Sequence, residues 1–303
     1  MTALTVDDLT VRIPVSGGGI VHAASNVDLT VEAGTVTALV GESGCGKSIL
    51  ASAVLGMLPV GSRVSGSVWV RTADRRIDTF TDTSFRGRDV ALIPQSASSY
   101  LTPVRTARSQ LDETIRVLGS PRTADDLAMA VGLNPADLDR YPHELSGGMA
   151  QRVAVAGALV GRPAVIVADE PTADLDRGLA DRVLALLRRA ADDGAAVLLI
   201  THDLSSLMRS AAADRVAVMY ASRIMETGPA SLVFDDPLHD YTRDLLNALP
   251  ARGLHPMPGV PPGLTDLPDE CVYHLRRPES TNSGGTTALV SAGHRSYRTR
   301  VRA

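Results

Sequence analysis

The sequence predicts an α/β fold with a mostly parallel central sheet covered on both faces. Three observations carry this. The runs TVTALV (35–40), AVIVAD (164–169) and AAVLLI (195–200) are short, continuous and apolar, the pattern of strands buried on both sides. The last two are separated by DLDRGLADRVLALLRRA (174–190), whose charges and apolar residues alternate with helical spacing. The first ends in a glycine-rich loop that leads into ILASAVLGML (49–58), a run of helical length and composition.

In chain order, ALTVDDLTVRI (3–13) alternates as a half-buried strand, turns at Gly17 to Gly19, and is followed by NVDLTV (26–31) and TVTALV around a turn at 32–34. Strands are expected at SVWV (67–70) and DVALI (89–93), then helices near 106–118 and 123–131. Gly147 and Gly148 open a further helical run, MAQRVAVAGALV. From Pro250 onward the composition shifts toward Pro, Gly, Ser and Thr, and no clear periodicity remains. Residues 251–303 therefore read as a tail, partly disordered. From Val272 it carries six arginines and one acid, Glu279, so contact with anionic lipid or a partner is the alternative role.

The 303 residues, 44% of them hydrophobic, suffice for one large domain with a subdomain and a tail. A net charge of −4 gives no global basic footprint, which argues against nucleic acid as the partner. The two cysteines, Cys45 and Cys271, stand in unrelated contexts, so a disulfide framework is not expected and a reducing compartment fits. Charged residues interrupt the first thirty positions and no apolar run approaches 18 residues, so neither a signal peptide nor a membrane span is expected.

GESGCGKS comprises Gly41, Glu42, Ser43, Gly44, Cys45, Gly46, Lys47 and Ser48, with Ile49 following, and it fits G-x-x-x-x-G-K-[ST]. In such a loop successive backbone N–H groups point inward at phosphate oxygens, and the helix behind adds its positive dipole end. Lys47 is the single lysine among 30 basic residues; every other one is arginine. A compact ammonium on a flexible stem reaches into a crowded phosphate cradle, whereas a guanidinium is bulkier and wants forked partners. Ser48 supplies a hydroxyl for a Mg²⁺ bridging the phosphates. Cys45 sits at a variable position of the loop, as a small filler or as a thiol whose pKa the helix N-terminus lowers.

AVIVADE ends in Asp169 and Glu170, two carboxylates at the C-terminal end of a buried strand, where ligands collect in open α/β sheets. Such acids are common alone. Beside a phosphate loop, Asp169 becomes a holder of Mg²⁺ through water and Glu170 a general base or water-orienting group. Gln95 follows DVALI and His202 follows AAVLLIT in the same way, so successive strand ends aim at one crevice. LSGGMAQR (145–152) puts a glycine pair at a second helix start, a second anion-binding terminus.

With these motifs in hand, the stretch from about Leu4 to Pro250 resembles the ATP-binding cassette ATPases. GESGCGKS resembles their Walker A loop, Gln95 their Q-loop, LSGGMAQR their signature, VIVADE their Walker B strand, 173–176 their D-loop and His202 their switch histidine. The resemblance implies a P-loop NTPase core (RecA-like) over 1–250, with an N-terminal antiparallel β subdomain and an inserted helical subdomain at about 97–160. It implies ATP held by the chain's own loop, Mg²⁺ at Ser48, Gln95 and Asp169, and hydrolysis carried by Glu170, His202 and Gln95. Ser146, Gly147, Gly148 and Met149 would serve the ATP of a second cassette, identical or homologous, paired head to tail. Implied partners are that cassette, two transmembrane permease subunits and an extracytoplasmic binding protein, with the chain peripheral on the cytoplasmic face of the membrane. Met149, DDPLHDYTRDLLNALP (235–250) and PGVPPGL (258–264) resemble the oligopeptide, dipeptide and nickel importer subgroup.

Three departures stand out. The tail of that subgroup often carries several cysteines for an iron–sulfur cluster; here Cys271 stands alone, Arg277 occupies the next cysteine's place, and no cluster is expected. The aromatic that stacks on adenine is missing, since the first aromatic is Trp69, and Ile13, Ile20 or His22 must substitute. Asp174 replaces a small D-loop residue. The leading expectation is the energy subunit of an uptake transporter for peptides, or for nickel or a chelated metal. The alternatives are a soluble cassette acting on nucleic acid or ribosomes and a non-hydrolysing regulatory cassette. The former usually carries paired cassettes or zinc modules; Glu170 and His202 argue against the latter.

Overall fold

A computed structural model describes residues 1–173, 175–268, 272–277, 279 and 285–300. The chain starts with two long strands, β1 (Thr2–Pro14) and β2 (Ile20–Glu32), followed by β3 (Val36–Val40) and helix α1 (Lys47–Val54). Next come β4 (Arg63–Arg71), β5 (Arg76–Asp78) and β6 (Val90–Ile93). A helical stretch holds α2 (Ala97–Tyr100), α3 (Ala107–Leu118), α4 (Ala124–Ala130) and α5 (Gly147–Ala158). The α/β alternation resumes with β7 (Val165–Asp169), α6 (Arg177–Asp192), β8 (Ala196–Thr201), α7 (Leu204–Ser210), β9 (Arg215–Tyr220) and β10 (Arg223–Pro229). The chain closes with α8 (Ala230–Asp235), α9 (Asp240–Asn247), α10 (Tyr273–Arg276) and the hairpin β11 (Thr287–Ala292) and β12 (Arg295–Arg300).

Among the described residues the strands form two sheets. The antiparallel sheet runs β2-β1-β4-β5, and the larger one runs β11-β12-β10-β9-β3-β8-β7-β6. The five strands β9, β3, β8, β7 and β6 pair in parallel, while β10, β12 and β11 extend the sheet antiparallel.

The continuous apolar runs are explained by burial on both faces. In β8, Val197 and Leu199 join the cluster under α3–α6, while Ala196, Leu198 and Ile200 face a second cluster shared with α1 and the antiparallel sheet. In β7, Ile166 and Ala168 take the first side and Val165 and Val167 the second. Side chains alternate with period two, so a strand sandwiched between two layers must be apolar at every position. The antiparallel sheet, α1, the main sheet and the outer helices therefore stack as layers, and α1 lies where the two sheets face each other.

The helices begin where the sequence supplies caps. Thr106 and Thr123 accept from the backbone N–H of Ser109 and Asp126, and Asp176 from that of Leu179. Helix α1 differs, because its first residue is preceded by Gly46, which has no side chain to cap the first turn.

Where the segment after Pro250 is described, it packs against the rest of the chain. Val272 and Tyr273 are wholly buried, and Tyr273 completes an aromatic trio with Tyr220 and Tyr241, at ring separations of 5.4 Å to each. Residues 287–300 form the β11–β12 hairpin on β10. A Pro- and Gly-rich composition hides periodicity, but it does not prevent a segment from contributing apolar side chains to a core.

Candidate functional site

Strands β3, β8, β7 and β6 run side by side in the same direction, with Val40 opposite Thr201, Asp169 opposite Ile200 and Ile93 opposite Ala168. Their C-terminal ends share one sheet edge. That edge carries in order the glycine loop at 41–46, His202, the pair Asp169 and Glu170, and Gln95.

The loop folds as it does because two of its glycines have no room for a side chain. Gly41 and Gly46 have φ of 153° and 112°, and a Cβ would clash with the carbonyl of Met219 at the first and of Ala23 at the second. The chain therefore wraps tightly and delivers Lys47 to the first position of α1. Lys47 is buried, and its Nζ donates to the carbonyls of Gly41 at 2.8 Å and Glu42 at 3.0 Å. The ammonium lies inside the loop, at the N-terminal end of α1.

Cys45 is buried in the loop beside this ammonium, 3.9 Å from Nζ. Burial pushes its thiol pKa up, and the nearby Lys47 charge does not reverse that. Burial thus works against a thiol activated by the helix N-terminus and accords with the small-filler role.

Asp169 ends β7 next to Ser48, whose side chain hydrogen-bonds to it. Burial raises the Asp169 pKa, opposed by the Ser48 hydrogen bond. Its Oδ1 is buried without a protein partner, the condition of a carboxylate oxygen prepared for a cation. A hydroxyl and a carboxylate beside a phosphate cradle are hard oxygen donors, and this set fits Mg²⁺, which prefers few protein ligands plus water and phosphate.

Glu170 follows in a left-handed conformation, φ 48°, held by its N–H on the Ile200 carbonyl at 2.9 Å. A non-glycine residue there is strained by about 1–2 kcal/mol. The turn places its largely buried carboxylate against His202, with Nδ1 to Oε2 at 2.8 Å. The His202 backbone N–H adds a longer contact of 3.4 Å to the same oxygen. His202 is over half exposed, so the pair looks outward from the sheet edge. Gln95 is exposed, and its neighbour Pro94 accepts from Gln151 of α5 at 3.3 Å, which ties this strand end to the helical layer.

Other expected residues lie apart from this edge. Ser146 caps α5, accepting from the Met149 N–H at 3.3 Å, and both Ser146 and Gly147 are exposed. Gly148 is buried against Leu179, where a Cβ would meet Cδ1 at 2.5 Å. Met149 is half-buried and packs on the main core. Ile13 and Ile49 are half-buried against the cluster between the two sheets. Asp174 and Cys271 lie outside the described residues.

Sequence reasoning missed the way the C-terminal segment meets the loop. Val21 bridges Thr265, the Asp266 N–H donates to the Ile20 carbonyl at 2.9 Å, and the His22 N–H to the Leu264 carbonyl at 2.8 Å. The segment thus lies along the edge of β2 that was expected to supply the adenine contact. Arg276 forks onto the Glu42 carboxylate, with Nη1 at 2.6 Å and Nη2 at 3.1 Å. No local signal marks these pairs, because the partners are hundreds of residues apart.

Comparison with known proteins agrees with this geometry. Residues 24–173 match the ABC transporter family, and residues 225–283 match the oligopeptide/dipeptide transporter C-terminal region. A dipeptide transport ATP-binding protein of Escherichia coli is 37% identical over 298 residues, covering 93% of this chain and 90% of that protein. The chain belongs to the ABC transporter family. An oligopeptide transport ATP-binding protein of Mycobacterium tuberculosis is 39% identical over 294 residues, 91% of this chain and 47% of the longer relative. In fold, a dimeric ATP-binding cassette in a post-hydrolysis state with ADP and Pi superimposes with a TM-score of 0.63 at 23% identity, over 75% of this chain and 98% of that one. The α/β core with its added antiparallel sheet is therefore the cassette fold. Among the described residues no helix is long and apolar enough to cross a membrane.

Proposed function

We propose that this chain is the ATP-hydrolysing subunit of a peptide importer, acting as one of two paired cassettes at the cytoplasmic face of a membrane. The observation that carries this reading is the meeting at one sheet edge of Lys47 in its loop, Ser48 with Asp169, and Glu170 with His202. The family and the named relatives favour peptide as cargo; nickel or a chelated metal is the second choice.

The chain's own groups divide the work. Lys47 leaves the carbonyls of Gly41 and Glu42 and neutralises the β- and γ-phosphates, while the loop and α1 donate backbone N–H groups to the same oxygens. Ser48 and Asp169, with Gln95 at the next strand end, would hold Mg²⁺, whose chemistry here is neutralisation of phosphate charge. Glu170 accepts the proton of the attacking water, and His202 fixes the carboxylate in place. Ser146 and Gly147 expose the start of the helix that continues through Gly148 and Met149, which supports a role of this motif at the partner's ATP rather than at this chain's own. Partners on this reading are a second cassette, two permease subunits and an extracytoplasmic binding protein.

In the assembled transporter, Lys47→Ala is expected to abolish ATP hydrolysis, and Glu170→Gln to stop turnover while leaving a stable ATP-bound dimer. Phosphate release and size-exclusion chromatography with ATP check both. Full hydrolysis by either variant would refute the assignment. Co-purification with ribosomes or DNA in place of permeases would favour the soluble-cassette reading.

A further inference from the structure

The phosphate loop is gripped from outside by the chain's own C-terminal segment. Arg276 lies 234 residues beyond Glu42, and its side chain is 3% exposed. All its donors are directed inward: Nη1 and Nη2 to the two Glu42 oxygens, and Nε to the Pro258 carbonyl. Burial works against the guanidinium charge and the Glu42 carboxylate more than restores it, so the pKa stays above the ordinary arginine value. Gly259 makes room, because a Cβ there would press on Arg276 Cγ at 3.1 Å.

Glu42 is then fixed at three points. Its carboxylate sits on Arg276, its N–H donates to the Tyr241 hydroxyl at 3.2 Å, and its carbonyl accepts from Lys47 Nζ at 3.0 Å. Tyr241 packs on Tyr220 and on Tyr273, the residue that opens α10, so the same segment braces both side-chain and backbone contacts. Pro261, Pro262 and Leu264 close over Glu42 and Cys45, leaving a cavity of only about 30 Å³. A continuous set of contacts leads from the C-terminal segment to the lysine.

We propose that Arg276 is a positioning residue for the phosphate loop, and that residues 258–268 and 272–277 form a strap that preorganises the loop for a nucleoside triphosphate. This rests on the reading of the loop as the nucleotide site. A loop held in its binding shape loses less conformational freedom when the phosphates arrive, so the strap acts on affinity rather than on the chemical step.

The test is nucleotide binding by the full chain, followed by a fluorescent ATP analogue, with melting temperature recorded for each variant and steady-state kinetics in the assembled complex. Arg276→Met and Glu42→Gln are each expected to weaken binding by about tenfold. The double variant should be no weaker than the worse single one, because both remove the same contact. Arg276→Lys should recover part of the loss and serves if the methionine variant does not fold. KM for ATP should rise while kcat changes little. Arg75→Gln breaks an ion pair with Asp89, at 2.5 Å, outside both the loop and the strap. Its binding should stay within about twofold of the parent.

Unchanged affinity in a folded Arg276→Met chain, additive effects in the double variant, or an equal loss in Arg75→Gln would each overturn the strap. Lys47→Ala separates the nucleotide site from the strap. If it still binds the analogue, the nucleotide-site reading itself falls; if it does not bind while Arg276→Met binds as tightly as the parent, only the strap falls.

Discussion

Lys47 rests on two carbonyls of its own loop, in a hollow lined by backbone. That environment explains why a chain with arginine at every other basic position keeps one ammonium here. A buried pocket of this size has no carboxylate fork for a guanidinium, whereas three rotatable donors can exchange carbonyls for phosphates. Lys47→Arg is accordingly expected to lose hydrolysis as fully as Lys47→Ala. The base is a different matter. Ile13 packs into an apolar cluster, and the neighbouring strand edge is covered by residues 264–266. With no aromatic upstream of the loop, about 1–3 kcal/mol of stacking is missing. Equilibrium competition should find ATP and GTP bound with nearly equal affinity; tight, adenine-selective binding would show that another group supplies the contact. The loop residues were legible because they are consecutive and their spacing fixes the backbone. Glu42 was legible only as a loop member, since its partner Arg276 is set by tertiary packing.

Helix starts show which element-scale signals a sequence carries. Thr106 and Thr123 mark α3 and α4 locally, by the rule that a hydroxyl caps the first turn. The cap of α9 is not of that kind. His239, fully buried, accepts from the Tyr241 N–H through Nδ1 at 3.0 Å, which requires the neutral ring. Burial lowers its pKa to about 4, with Asp240 opposing and Arg298 and Arg243 assisting. The unfolded chain binds a proton near the ordinary histidine pKa of about 6.5 and the folded chain does not, so stability falls as pH drops from there toward 4. The loss over that window amounts to up to about 3 kcal/mol. His239→Asn keeps an acceptor for the cap but does not titrate. Denaturant unfolding at pH 7 and pH 4.5 should show a smaller acid loss for the variant than for the parent.

The β9–β10 hairpin was invisible for a related reason. It turns at Ala221 and Ser222 with φ of 44° and 69°, where glycine or asparagine would normally advertise the turn. Tertiary bonds impose it: the Ser222 N–H donates to the Cys45 carbonyl at 2.9 Å, and its hydroxyl pairs with that of Ser25 at 2.9 Å.

At the scale of the whole molecule, the described part of the C-terminal region contributes to the core. Tyr273 is fully buried among Tyr220 and Tyr241, and its hydroxyl donates to Asp244, which also holds Arg277. Tyr273→Ala should lower unfolding stability by about 3–5 kcal/mol, as for other large aromatic truncations in a core. Chemical denaturation of the full chain measures this; no change would mean that the segment is undocked in solution. The strap then links two scales, because loss of the segment would loosen both the core and the phosphate loop.

By itself the sequence determined the strand–loop–helix that carries Lys47, the acids at the end of β7, Gln95, His202 and the α/β architecture. Each is written in a contiguous stretch whose residues set their own φ and ψ or their own face of the sheet. Tertiary structure alone decided that Glu170 leans on His202, that Cys45 is buried beside Lys47, and that Arg276 rather than Arg277 grips the loop. In the sequence those two arginines are adjacent and chemically identical. Only packing, which buries one against Glu42 and turns the other to Asp244, gives them different work.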